Sequence, residues 1–253
     1  MKENTIYVVG DRFRNFCVNE RVYPLSEFMR ILERDSEQLR DVIIRPGQGL
    51  SYNSLKMIRE AMQLRGIAGA AQFDVTGLEA LDRKYVHKQR DHNVMISRPE
   101  QLSENEFCAA LLIDERCAEV SDHMTGQHIQ GMVLTEAARQ MFVAVTETYI
   151  LPDELVGKVA YIFNRIEMEF ISFIFPLPIE LTYVIHEKRP RRASCISFVA
   201  EVSFRQNGLL GTRSRLEFTT YEAEYIFSVE DEKARETVIA SLGGRVDQEL
   251  RAS

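Results

Sequence analysis

Gly131-Met132-Val133-Leu134-Thr135-Glu136-Ala137-Ala138-Arg139-Gln140-Met141-Phe142-Val143-Ala144-Val145 is apolar on nearly every side of a helical wheel. A helix of that composition must be covered all round, and its pattern runs on to Ile150. The reading is one long buried helix over 131–150. Glu136, Arg139 and Gln140 break the pattern at i, i+3 and i+4, so they share one face. A carboxylate, a guanidinium and an amide in apolar surroundings cost free energy unless they pair or serve a site. Two readings stand here: an internal Glu136–Arg139 bridge that locks the helix, or a functional cluster.

What covers the helix follows from its flanks. Downstream lie four strand candidates, 159–170, 179–187, 194–205 and 209–221. In the third, Ile196, Phe198, Ala200, Val202 and Phe204 alternate with Cys195, Ser197, Val199, Glu201 and Ser203, the period of a half-buried strand. Gln206-Asn207-Gly208 supplies residues that accept the left-handed backbone of a tight hairpin. Upstream, Val94-Met95-Ile96 and 107–113 also read as strands. Two strands, one long helix and a run of antiparallel strands are satisfied together when one sheet curves round one helix. The expected class is therefore α+β, a single hot-dog domain over 85–222.

Residues 1–75 have a different character. Ile6-Tyr7-Val8-Val9 and Val42-Ile43-Ile44 read as strands, and 25–39 and 54–64 as helices, with Ser26 a candidate cap. This is a small α/β segment. Arg45-Pro46-Gly47-Gln48-Gly49-Leu50-Ser51 joins its second strand to its second helix. A glycine-rich turn before a helix offers N–H groups to an anion. It also suits a tight turn that needs positive φ. The stretch 76–84 reads as a linker or short helix. Residues 223–253 read as a polar helix, about 229–242, and a charged tail.

The net charge of −7 argues against a general nucleic-acid binder. Lys188-Arg189-Pro190-Arg191-Arg192 is a local exception, read as a solvated hairpin loop or a phosphate contact. Cys17, Cys108, Cys117 and Cys195 form no CxxC pair and are read as reduced thiols of a cytoplasmic protein. Met1-Lys2-Glu3-Asn4 leads straight into a strand-like run, so no signal peptide is expected, and no apolar run is long enough for a membrane span.

The loop Ser121-Asp122-His123-Met124-Thr125-Gly126-Gln127-His128-Ile129-Gln130 precedes the helix and holds two of the five histidines. Imidazoles just upstream of a buried carboxylate make an acid–base set of His123, His128 and Glu136. The same three side chains are a weaker candidate for metal ligation; no recognised metal spacing is present, and no metal is expected. The N-terminal end of the helix, at Gly131 and Met132, offers free N–H groups to a carbonyl. No serine or cysteine of the loop is an evident nucleophile.

Gly131, Glu136 and Gln140 fit a G-x4-E-x3-Q pattern that resembles hot-dog acyl-carrier-protein dehydratases. A nearer resemblance is to the A-factor biosynthesis (AfsA-type) hot-dog family. It is carried by Val86-His87-Lys88, the histidine loop ending at His128, and Glu136-Ala137-Ala138-Arg139-Gln140, across about 85–221. That resemblance implies an acyltransferase of secondary metabolism or signal synthesis. It would move an acyl group from an acyl carrier protein or coenzyme A thioester to a hydroxylated acceptor of dihydroxyacetone-phosphate type, on the way to butyrolactones. Its rivals are a dehydratase, a thioesterase, or a non-catalytic acyl-binding module. In this reading His123 or His128 is the base and Glu136 orients or protonates. Arg139, Gln140, Gly131, Met132 and Lys88 hold the substrate. The phosphopantetheine arm belongs to the substrate, so no separate cofactor is expected. A single hot-dog unit leaves a sheet edge open, and a homodimer paired through 107–113 or its neighbour is expected to close it.

Overall fold

The computed structural model describes residues 4–121 and 126–242. Its first part is a parallel sheet of β1 (Thr5–Val9), β2 (Val22–Pro24), β3 (Ile43–Pro46) and β4 (Gln72–Phe73), in the order β2-β1-β3-β4. Helices α1 (Leu25–Arg34) and α2 (Tyr52–Leu64) bury Phe28, Leu32, Ile58 and Met62 against Ile6, Val8 and Ile44. Ser51 caps α2 by accepting the Ser54 N–H at 3.0 Å. Ser26 caps nothing: Pro24 holds the cap position of α1, and the Ser26 N–H and hydroxyl donate to the Asp11 carboxylate.

The second part is an antiparallel sheet. It comprises β5 (Glu100–Ser103), β6 (Glu106–Ala110), β7 (Val159–Phe170), β8 (Glu180–Arg192), β9 (Cys195–Gln206) and β10 (Leu209–Glu222), in the order β5-β6-β8-β9-β10-β7. A short helix α3 (Ala118–Ser121) precedes the long one, α4 (Gly131–Val145), which continues through a π turn over Thr146–Ile150. On α4, Ala137, Ala138, Met141, Phe142, Val143, Ala144 and Val145 are fully buried. Phe142 stacks on Phe218 of β10 at 4.1 Å between ring centres, and Phe218 stacks on Phe198 of β9 at 4.7 Å. This is the hot-dog arrangement. The turn at Asn207 and Gly208 has φ of 53° and 79°, as a tight hairpin requires.

Three details depart from expectation. Lys188–Arg192 is no loop but the exposed end of β8, paired as far as Arg192↔Cys195, because β9 is long enough to carry the ladder to the turn. Val94-Met95-Ile96 forms no strand beyond a single bridge from Ile96 to Leu111, while the polar edge strand β5 carried no apolar signal in the sequence. The last helix, α5 (Ala223–Ser241), starts earlier than 229 and buries none of its residues. No helix among the described residues is long and apolar enough to cross a membrane.

The joint between the two sheets runs through the glycine-rich turn. The N–H groups of Gly47, Gln48 and Gly49 donate to the carbonyls of Val8, Pro176 and Ile113. Those donors are consumed, so the turn is a tether and not an anion cradle. The buried Gln48 side chain donates to the Leu111 carbonyl at 3.0 Å and accepts the Ile113 N–H at 2.9 Å, doing the work of a missing strand partner. A Cβ on Gly47 would lie 2.2 Å from the Pro176 carbonyl oxygen, and one on Gly10 would lie 2.3 Å from that of Gly49. Both glycines are required by close backbone approach.

The two outer strands of the antiparallel sheet differ. β6 is interior and β5 is short and polar, so 107–113 itself does not present an edge. β7 is long and apolar. Its Phe163, Ile166 and Phe170 pair with Phe218, Leu216 and Thr212, all buried, and therefore face the inside of the curved sheet. Yet they remain 40%, 39% and 57% exposed, although Phe163 packs edge-on against Phe142 of α4 and Phe170 lies against Gly131.

Candidate functional site

A strap of chain, 82–95, lies along α4 and is fastened to its polar face. It opens with a 3-10 turn over Arg83–Val86, capped by Asp82, and passes through His87 in the left-handed region at φ 54°. Arg139 reaches both Glu136 oxygens, at 2.8 and 2.9 Å, and also donates to the Val86 carbonyl at 3.0 Å. Lys88 lies 2.8 Å from Glu136 Oε1 and 3.5 Å from Glu119 Oε1. Gln140 is fully buried and fully used: it donates to Glu136 and the Asn93 carbonyl and accepts the Met95 N–H. The two readings of the cluster thus merge into one observation. Glu136, Arg139, Gln140 and Lys88 form a satisfied network that clamps the strap to the helix.

The electrostatics follow. Burial pushes the Glu136 carboxyl up, but the Arg139 bonds and charge, with Lys88 and Gln140, outweigh it and hold the pKa at about 2. Such a group is ionised near neutrality. Of its two expected roles, orienting fits this state and donating a proton does not. Cys117 is the opposite case. Burial and a hydrogen bond to Glu119 at 2.8 Å push its thiol up to about 12, so it is a neutral donor and no thiolate nucleophile.

Of the two loop histidines, His123 lies outside the described residues. His128 sits edge-on to Phe173, ring centres 5.1 Å apart, and among the described residues nothing bonds it to Glu136. The loop's end is held between the N-terminal part and the segment after β7: Gln127 donates to the Asn15 carbonyl at 3.5 Å, and Ile129 to the Ile174 carbonyl at 2.8 Å.

At the start of α4, Gln130 occupies the cap position without capping, and its buried Oε1 has no partner among the described residues. The N–H groups of Gly131 and Met132 likewise meet no acceptor there. The Phe170 ring crowds Gly131 so closely that a Cβ would lie 2.7 Å from it. Met132, Phe170 and Phe173 stand 70%, 57% and 72% exposed around this end. The helix N-terminus is thus a polar spot whose donors are unmet among the described residues, set in an apolar rim.

At the other end of α4 is a group that the sequence reading passed over. Glu147 lies in the π turn with its side chain wholly buried, and its oxygens take the His87 Nε2 at 2.9 Å, the Tyr161 hydroxyl at 3.0 Å and the Gly157 N–H at 2.7 Å. Val86-His87-Lys88 had singled out His87 as part of a motif. Glu147 had a signal too: it stands seven residues after Gln140, on the same helical face.

Residues 70–221 match a family model, that of the A-factor biosynthesis hotdog domain (AfsA). No curated protein sequence matches the chain. Among solved structures, similar ones include a mutant thioesterase of Pseudomonas aeruginosa, at 10% identity over 50% of this chain and 81% of that one, TM-score 0.38. A thioesterase of Haemophilus influenzae is 13% identical over 51% and 79%, TM-score 0.38. A conserved protein of Pseudomonas aeruginosa is 14% identical over 55% and 99%, TM-score 0.40.

Proposed function

The chain belongs to the A-factor biosynthesis hotdog family, and on that premise we propose that it processes acyl thioesters and transfers their acyl group to a hydroxylated acceptor of dihydroxyacetone-phosphate type. The observation that carries the reading is the uncapped N-terminus of the buried helix α4. The N–H groups of Gly131 and Met132, which meet no acceptor among the described residues, add to the helix dipole in stabilising the oxyanion that forms when a thioester carbonyl is attacked. The apolar rim of Met132, Phe170 and Phe173 suits an acyl chain. Coenzyme A or an acyl carrier protein would present that chain on its phosphopantetheine arm.

Glu136, Arg139, Gln140 and Lys88 then act by holding the strap and helix in one geometry. His128 precedes the helix start by three residues in the loop, and His123 belongs to the same loop in the sequence. The half-exposed inner face and open edge of β7 suit a second copy, paired edge to edge as a two-fold homodimer. The four cysteines are free thiols, which suits a cytoplasmic, reducing setting.

Native mass spectrometry of the protein incubated with a panel of acyl-carrier-protein thioesters, with and without dihydroxyacetone phosphate, tests this. Acyl loss from the carrier that depends on the acceptor, with an acylated acceptor formed, is the expected result. Acceptor-independent loss means hydrolysis, loss of water from a 3-hydroxyacyl chain means dehydration, and a stable complex with no turnover means a binding module.

A further inference from the structure

His87 carries three marks that no role in the Glu136 network explains. Its Nε2 is held at 2.9 Å by a carboxylate whose side chain is wholly buried. That carboxylate is itself fixed by the Tyr161 hydroxyl and the Gly157 N–H, so its position is determined from three sides. Burial and the neighbouring Glu147 push the Tyr161 hydroxyl far up, so it is a neutral donor here. The His87 side chain keeps 31% of its exposure, and Nδ1 has no protein partner among the described residues. Its backbone sits at φ 54°, a conformation that costs a β-carbon residue energy. Its partner sits in a π turn, a rare geometry over-represented at functional sites. A structural clamp needs neither the strained backbone nor an imidazole left open on one side.

The position looks wrong for the helix start. At about 1.5 Å per residue, Glu147 is about 24 Å along the axis from Gly131, so His87 cannot serve that end of its own helix. The geometry of β7 resolves this. Tyr161, near the beginning of β7, touches Glu147, while Phe170, at its end, touches Gly131. When two copies of β7 pair antiparallel about a two-fold axis near the strand centre, the Tyr161 end of one meets the Phe170 end of the other.

We propose that His87, oriented by Glu147, is the proton-transfer residue for the thioester bound at the N-terminus of the partner's central helix. This rests on the acyl-thioester reading above. With Glu147 holding Nε2–H, the open Nδ1 accepts the proton of the acceptor hydroxyl as its oxygen attacks the thioester carbonyl carbon. The carbon–sulfur bond then breaks. The proton passes from Nδ1 to the leaving sulfur, giving an ester and a free thiol with His87 neutral again.

The test is complementation within dimers. His87→Gln retains an amide donor for Glu147, and Met132→Pro removes one of the two N–H groups unmet among the described residues in the first turn of α4, where proline is tolerated, at a side chain that is exposed. Each variant alone is expected to lose on the order of 10²–10⁴ in acyl transfer. The two chains co-expressed with different tags are expected to recover about a quarter of the wild-type rate, because half of randomly paired two-fold dimers are mixed and each has one intact site. A His87→Gln protein with wild-type turnover, or inactive mixed dimers, overturns the proposal while leaving the thioester reading in place. A wild-type protein inert toward every thioester overturns both. Should His87→Gln not fold, carbethoxylation of the wild type decides: a bound, unreactive acyl-coenzyme A thioether is expected to protect His87, and modification at the unprotected rate overturns the proposal.

Discussion

Glu136 shows how much one carboxylate can hold. Its folded pKa of about 2 lies below the ordinary value of 4.5, so its ionised form stabilises the fold above pH 4.5. That contribution, on the order of 3 kcal/mol, is lost as the pH falls from 4.5 toward 2. Glu136→Gln is expected to leave Lys88 and Arg139 short of a counter-charge and lower stability at pH 7 by about 3 kcal/mol. The gap between the two proteins should narrow steadily as the pH falls from 4.5 toward 2. Melting temperatures of both across pH 2.5–7 check this, and parallel curves would show that Glu136 is not the group titrating. The polar triad on α4 was legible in the sequence because it interrupts an apolar helix. Its partners were not: Lys88, Val86, Asn93 and Met95 reach it from a strap 45 to 53 residues away, with no periodicity of its own. Glu147 went unnoticed for a related reason. It lies at the frayed-looking end of an apolar run, where an acid ordinarily faces water, and the π turn that carries it inward leaves no signature in composition.

At the scale of elements, the long strands and α4 were readable because period and turn chemistry agreed. Alternation from Cys195 to Phe204 and the Asn207–Gly208 turn point to the same hairpin. Elements whose position depends on distant partners were harder to see. β5 is a short polar edge that exists because β6 offers it hydrogen bonds, and Lys188–Arg192 is a strand because β9 pairs with it. The Pro46–Ser51 turn is the clearest instance. Its glycines suggested an anion site, but the groups that consume their N–H bonds come from Val8, Pro176 and Ile113. The sharpest test of that joint is Gln48→Ala. It would strand the buried Ile113 N–H and deprive the Leu111 carbonyl of its donor. The expected loss is about 2–4 kcal/mol in urea denaturation, and a change below 0.5 kcal/mol would mean that water replaces the side chain.

For the whole molecule, the proposed dimer turns on the half-exposed inner face of β7. Ile166→Lys places a charge on that face without touching the core of α4. Light scattering at micromolar concentration is expected to show a dimer for the wild type and a monomer for the variant, with acyl-thioester turnover lost in the monomer. A dimeric variant would move the interface elsewhere. The tether of Gln48 has a different consequence, which concerns time. The parallel sheet and its helices are complete once residue 73 has been made, whereas the acceptors that lock Gln48 lie 63 residues later at Leu111 and 129 residues later at Leu177. During synthesis the N-terminal unit is therefore expected to wait with this glycine-lined seam, and the apolar Val9, Phe13 and Val22 beside it, facing solvent, its closure belonging to the slow, long-range phase of folding. Pulse-labelled hydrogen exchange on refolding should protect the Ile44 amide well before that of Ile113, and simultaneous protection of both would show that the chain's two halves condense as one.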